Sequence, residues 1–172
     1  MNRAQALEEL KLRLFDRHIL FRSLVVEAIM EELAGYFNAD TALWGLTGLL
    51  HDIDYEKTLD RPGLHGITGA EILENLDVDE AVVYSVRAHN DRNNIPRKRK
   101  MDKALYLSDF IADYIINYCS RHKPMVPETI AEAVLQQIRS GELHPDKFAE
   151  LGIAEQEFVE LALKAFEKVT EP

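Results

Sequence analysis

The sequence contains a single cysteine, Cys119, so no internal disulfide can form, and a reducing, cytoplasmic setting is expected. Long hydrophobic runs are also missing. The longest apolar block, 42–50, falls well short of the roughly 20 residues that span a bilayer. The opening stretch, MNRAQALEELKLRLFDRH, is charged throughout and has no apolar signal-peptide core, so neither export nor a membrane partner is expected. Basic residues are in deficit, 20 Lys and Arg against 30 Asp and Glu for a formal charge of −10. That balance argues against a nucleic-acid polymer as partner, because an extended polyanion needs a basic face to displace its counterions. Repeats, long Gly/Ser/Pro linkers and alternating β-branched runs are absent too, which leaves an all-α reading and one domain over 1–172. A chain of 172 residues buries about two thirds of its surface on folding, so its core needs no covalent staple.

What remains is helical periodicity. Leu7, Leu10, Leu14, Phe21, Val25, Ile29 and Leu33 predict one long helix ending near Gly35, and the gap in its stripe at position 18 predicts that His18 faces the core. A second helix over 40–50, TALWGLTGLL, is apolar nearly all round and ends on His51-Asp52. After DYEKTLDRPG, a third helix over 65–76 places Gly69, Ile72 and Leu76 on the side of His65. A fourth, capped around Asp77 to Glu80, carries Val82, Val86 and His89 on one stripe. Beyond the loop NDRNNIPRKRK, a fifth aligns Asp109 with Met101, Leu105, Ala112 and Ile116. Pro124 and Pro127 then punctuate, and amphipathic helices over 128–139 and 155–169 act as cover.

Four ionisable side chains, His18, His65, His89 and Asp109, therefore fall on apolar faces of four helices, and His51-Asp52 ends the most apolar one. Such groups leave water only when paired, protonated or bound to metal. Imidazole and carboxylate donors without thiolate suit Zn, Mn, Fe, Co or Ni. Six donors plus water exceed one tetrahedral shell and suit two divalent ions about 3.5–4 Å apart, bridged by a carboxylate, for which Asp52 is best placed. Two such ions offset by two carboxylates and a bridging hydroxide leave about one positive charge, a local attractor for a small anionic substrate.

His18, HDIDYEKT and ALYLSDF together resemble the H…HD…D signature of HD-superfamily metal-dependent phosphohydrolases. His65 in HGITGAEIL and His89 in VRAHND are similar to the two extra histidines of its dinuclear members, including bacterial symmetrical diadenosine tetraphosphate hydrolases. The resemblance covers about residues 15–120, with 121–172 as C-terminal helical cover. It implies a helical bundle with His18, His51, Asp52 and Asp109 on one ion and His65, His89 and Asp52 on the other. It also implies a phosphohydrolase that opens a phosphoester or phosphoanhydride bond of a small nucleotide-type substrate through a metal-bound hydroxide, with His51 and Asp52 at the catalytic centre.

Two departures from the family pattern stand out. Many members carry Gly and Lys two and three residues after the HD pair, where this chain has Asp54 and Tyr55, with Lys57 the nearest lysine. The Gly-Tyr-Pro element of the superfamily's cyclic-di-GMP phosphodiesterases is missing, so that activity is not expected. Lys57, Arg97 and Arg99 are the candidates for binding substrate phosphates, although the run 97–100 also reads as a solvated loop opening a helix. Asp113, one turn beyond Asp109, reads either as an orienting partner for a ligand histidine or as a surface residue, and Trp44 as core packing or a base-stacking ring. His122 and His144 lack any stripe and read as solvated. An HD-type diiron oxygenase acting on a polyol or phosphonate, a silent metal-bound regulatory module and a homodimer all stay open at this level.

Overall fold

The structure is a computed structural model that describes residues 1–123, 126–141 and 143–169. Pro124 lies outside the described residues. The architecture is all-α, with no strand among the described residues. The segment expected to form one long N-terminal helix forms two, α1 (Arg3–Lys11) and α2 (Arg17–Tyr36). The break has a local cause and a distant one. Asp16 caps α2 by accepting the His18 amide at 2.8 Å, and the Glu56 carboxylate takes the amides of Phe15 and Asp16. Amides that would have continued α1 are thereby held by side chains instead.

Next come α3 (Thr41–Leu50), capped by Asp40, a single turn α4 (Tyr55–Thr58), α5 (Ile67–Asn75) and α6 (Glu80–His89). The remaining helices are α7 (Lys100–Arg121), α8 (Pro127–Ser140), α9 (Asp146–Leu151) and α10 (Glu155–Phe166). None of the described helices is long and apolar enough to cross a membrane.

Two apolar cores meet along α2 and α3. Leu10, Leu14, Leu20, Leu49, Leu50, Leu73 and Val86 fill one, between α1, α3, α5 and α6. Val25, Ile29, Leu33, Leu105, Ile111, Ile130 and Phe158 fill the other, between α2, α7, α8 and α10. Trp44 packs into this second core beside Phe37. Gly48 allows α2 and α3 to touch backbone to backbone, since a Cβ there would stand 2.7 Å from the Val26 carbonyl oxygen. This close approach fixes the end of α3, and the residues that follow it lie at the seam between the cores.

Candidate metal centre

Five polar side chains converge at that seam from four places in the chain. His51 and Asp52 leave the end of α3 fully buried, His65 precedes α5, His89 closes α6, and Asp109 stands midway along α7. They form two triplets that share Asp52. In the first, His65 Nε2 lies 3.2 Å and His89 Nε2 4.0 Å from Asp52 Oδ1, with 3.0 Å between the two nitrogens. In the second, His51 Nε2 lies 3.2 Å from Asp52 Oδ2 and 3.1 Å from Asp109 Oδ1.

Each ring is oriented through its other nitrogen. His51 Nδ1 reaches the Gly48 carbonyl at 2.8 Å and His89 Nδ1 the Val86 carbonyl at 2.6 Å. A carbonyl only accepts, so both Nδ1 atoms carry the proton and both Nε2 atoms face the centre. His65 Nδ1 is held 2.9 Å from Asp54 Oδ1, and Asp54 is locked in turn by the amides of Gly66 and Gly69 on its Oδ2 at 2.9 and 2.8 Å. Gly66 has φ +84°, and a Cβ there would lie 2.8 Å from the Val86 carbonyl, so this turn needs glycine.

The donor set fits a divalent ion. Asp52 Oδ1 is buried without an aligned hydrogen bond, and the Nε2 atoms of His65 and His89 converge on it. Three nitrogen and oxygen donors facing one point, with each ring tethered behind, are what a Zn, Mn, Fe, Co or Ni site requires.

Burial opposes charging of His51, but Asp52 and Asp109 outweigh it and hold its pKa at about 10. At His65 burial is likewise overcome, by Asp52 and Asp54, giving about 9. His89 goes the other way, to about 4, through burial and the neighbouring charges of His65 and His51. Asp109 is pushed up by burial but held at about 2 by Arg22 and His51. An ion on Asp52, His65 and His89 must therefore displace the His65 proton below pH 9. Metal affinity is expected to rise with pH up to about 9 and then level off. Calorimetric titration at pH 7 in buffers of different ionisation enthalpy should register release of about one proton per ion; an enthalpy independent of buffer would exclude this.

Not every predicted site residue arrives here. His18 sits exposed in the first turn of α2, at the rim of a cavity lined by Phe21, Ile116 and Cys119, and is not part of the cluster. It keeps its expected place beside Phe21 on α2, but in the first turn of that helix, where it stays exposed and short of the cluster. One turn further along α2, Arg22 enters instead. Its Nη1 lies 2.7 Å from Asp52 Oδ2, its Nη2 pairs with Asp109 Oδ1, and its Nε stands 2.9 Å from Asp113 Oδ1. Arg22 and Asp54 are the two residues that sequence reasoning missed. The available signals were an arginine on an otherwise apolar helical face and an acidic residue three positions after His51.

The phosphate-binding candidates also need correction. Lys57 is exposed on α4. Arg97 spends its guanidinium on the His89 carbonyl at 2.9 Å, on Asp91 at 2.7 Å and on the face of Tyr106. Arg99 pairs with the buried Asp102 at 2.8 Å and donates to the Ala81 carbonyl at 2.9 Å. Asp102 also accepts from Ser85 Oγ and the Lys98 and Arg99 amides, so the basic run serves the start of α7. Arg99→Ala is accordingly expected to lower stability by about 1 kcal/mol and leave KM unchanged, as thermal melts and steady-state kinetics would register.

An all-α framework gathering histidines and aspartates around a His-Asp pair at a helix end is the arrangement of an HD-type domain with clusters that could hold a metal. The sequence matches the HD domain family over residues 19–144, and the chain belongs to that family. The match begins one residue beyond His18. Ribonuclease Y of Aliarcobacter butzleri (strain RM4018) is 33% identical over 76 residues, which is 44% of this chain and 15% of that protein, so the chain spans a small part of this relative's length. Among solved structures, the HD domain of the L. monocytogenes phosphodiesterase PgpH superposes with TM-score 0.67 at 16% identity, covering 94% of this chain and 97% of that one. The same domain in complex with cyclic-di-AMP gives 0.63 at 15% identity, covering 96% and 97%. At this identity the two structures speak for the fold.

Proposed function

We propose that the chain is a metal-dependent phosphohydrolase that cleaves a phosphoester or phosphoanhydride bond in a small, nucleotide-like substrate. The observation that carries this reading is the convergence of Asp52 Oδ1, His65 Nε2 and His89 Nε2 on one point, each ring tethered through its Nδ1. A divalent ion bound there supplies Lewis acidity toward a phosphoryl oxygen and an activated water. The chain itself would hold the ion with those three residues, fixes His65 through Asp54, and presents a partly buried guanidinium, Arg22, alongside.

Two further observations support a nucleotide-like substrate. A cavity of about 590 Å³ lies against α2 and α7, lined by Phe21, Ile116, Leu163 and Phe166 together with His18, Lys123 and Glu167, and none of the cluster's own residues lines it. A volume of this size accommodates a base and sugar. The HD domain of PgpH, a phosphodiesterase, has been crystallised with cyclic-di-AMP, and the relative that shares sequence is a ribonuclease, so both carry phosphodiester chemistry in their names.

The test is a release assay on metal-loaded protein across mononucleotides, dinucleoside polyphosphates, cyclic dinucleotides and short oligonucleotides. Turnover of at least one class, abolished in Asp52→Asn, is the expected result. Absence of turnover across the whole panel by protein carrying its ion would overturn the reading.

A further inference from the structure

We propose that Arg22 takes the place of a second metal ion, so that the centre holds a single divalent cation on Asp52, His65 and His89. The proposal rests on reading the cluster as a metal centre and departs from the two-ion expectation drawn from the sequence. Its basis is an asymmetry between the two triplets that share Asp52. On one side, Asp52 Oδ1 is buried without an aligned partner and faces two imidazole nitrogens. On the other, Asp52 Oδ2 and Asp109 Oδ1, the oxygens a second ion would need, already pair with the two Nη atoms of Arg22. One half of the centre turns an unpartnered carboxylate oxygen toward two imidazoles, and the other half is paired with a guanidinium.

Three physical points keep Arg22 in that role. Its side chain is only 13% exposed and is gripped by three carboxylates, since Nε stands 2.9 Å from Asp113. A guanidinium is a cation at every working pH, and here it stands against the carboxylates of Asp52 and Asp109. A divalent ion placed among His51, Asp52 and Asp109 would therefore meet a fixed like charge where little water screens the repulsion. Nor does α2 offer an imidazole to complete such a shell, because His18 lies outside the cluster. Unlike a metal, a guanidinium supplies charge and N–H donors but no open coordination position.

The decisive experiment counts ions. Protein loaded with Mn(II) and dialysed is expected to retain about one ion per chain and to give the electron paramagnetic resonance spectrum of an isolated Mn(II). Asp109→Ala should retain that ion, because Asp109 belongs to the half filled by Arg22. Arg22→His, which exchanges the built-in cation for an imidazole on α2, should raise the count to about two and produce an exchange-coupled spectrum. Two ions in the wild type, one of them lost in Asp109→Ala, would overturn the proposal while leaving the metal centre standing. Wild-type protein that retains none would overturn both. Should Arg22→His fail to fold, the wild-type count and its response to Asp109→Ala decide the matter.

Discussion

Replacing Asp52 by alanine is expected to abolish metal retention and phosphate-ester hydrolysis together. The carboxylate has two jobs that no neighbour can take over. Its Oδ1 is the anionic donor facing His65 and His89, and its Oδ2 accepts from Arg22. Without it, two neutral imidazoles hold the ion alone. The loss in affinity should exceed the roughly 10–100-fold typical of removing a group that merely orients a ligand, and turnover should fall by at least about 10³-fold. Breaking a buried ion pair costs about 3–5 kcal/mol, with the lower end expected here because Arg22 keeps Asp109 and Asp113. Asp52→Asn, which preserves shape, separates chemistry from folding: elemental analysis should show the ion gone while circular dichroism shows the helices intact. A variant that keeps both its ion and its rate would refute the assignment of Asp52 as the central donor.

The second large effect belongs to Asp54, which touches no ion. Asp54→Ala removes the acceptor for His65 Nδ1 and for the Gly66 and Gly69 amides at once. Three charge-assisted bonds inside the fold, with two buried amides left unpaired, are worth about 3 kcal/mol or more. In a chain of 172 residues that lowers Tm by roughly 6–12 °C. Freed from its tether, His65 should also bind metal about 10–100-fold more weakly. Asp54→Asn discriminates between the two effects. The amide oxygen can still serve the two glycines, recovering part of the Tm, but its NH₂ group facing Nδ1 favours the tautomer protonated on Nε2, which cannot ligate. Metal affinity should therefore stay low in both variants. Recovery of full affinity in Asp54→Asn would show that His65 needs no carboxylate behind it.

How much of this was legible in the sequence depends on whether a residue's environment is set by its own helix. His89 on α6 and Asp109 on α7 lie within uninterrupted helices, so counting from Val82 or Met101 gives the correct face. The position of His51-Asp52 followed from the end of α3 for the same reason. The single N-terminal helix expected over Leu7 to Leu33 failed because Glu56, some forty residues away, takes the backbone amides of Phe15 and Asp16 and helps stop α1 from continuing into α2. No local pattern reports such a contact. His18 and Arg22 lie one turn apart on the same side of α2, and it is Arg22, further into the helix, that reaches Asp52 and Asp109.

Asp54 was hidden differently. Two of its three partners are backbone amides, which leave no residue-type signature. The basic run at 97–100 looked like a phosphate clamp because charge density is visible in sequence while the buried acceptor Asp102 that draws Arg99 in is not.

The central claim, a divalent cation on Asp52, His65 and His89, is tested most directly by anomalous diffraction from crystals grown with Mn(II) or Zn(II). A peak roughly 2.0–2.3 Å from Asp52 Oδ1, His65 Nε2 and His89 Nε2 is the expected result. Metal found only at surface carboxylates, with those three atoms left uncoordinated, would contradict it.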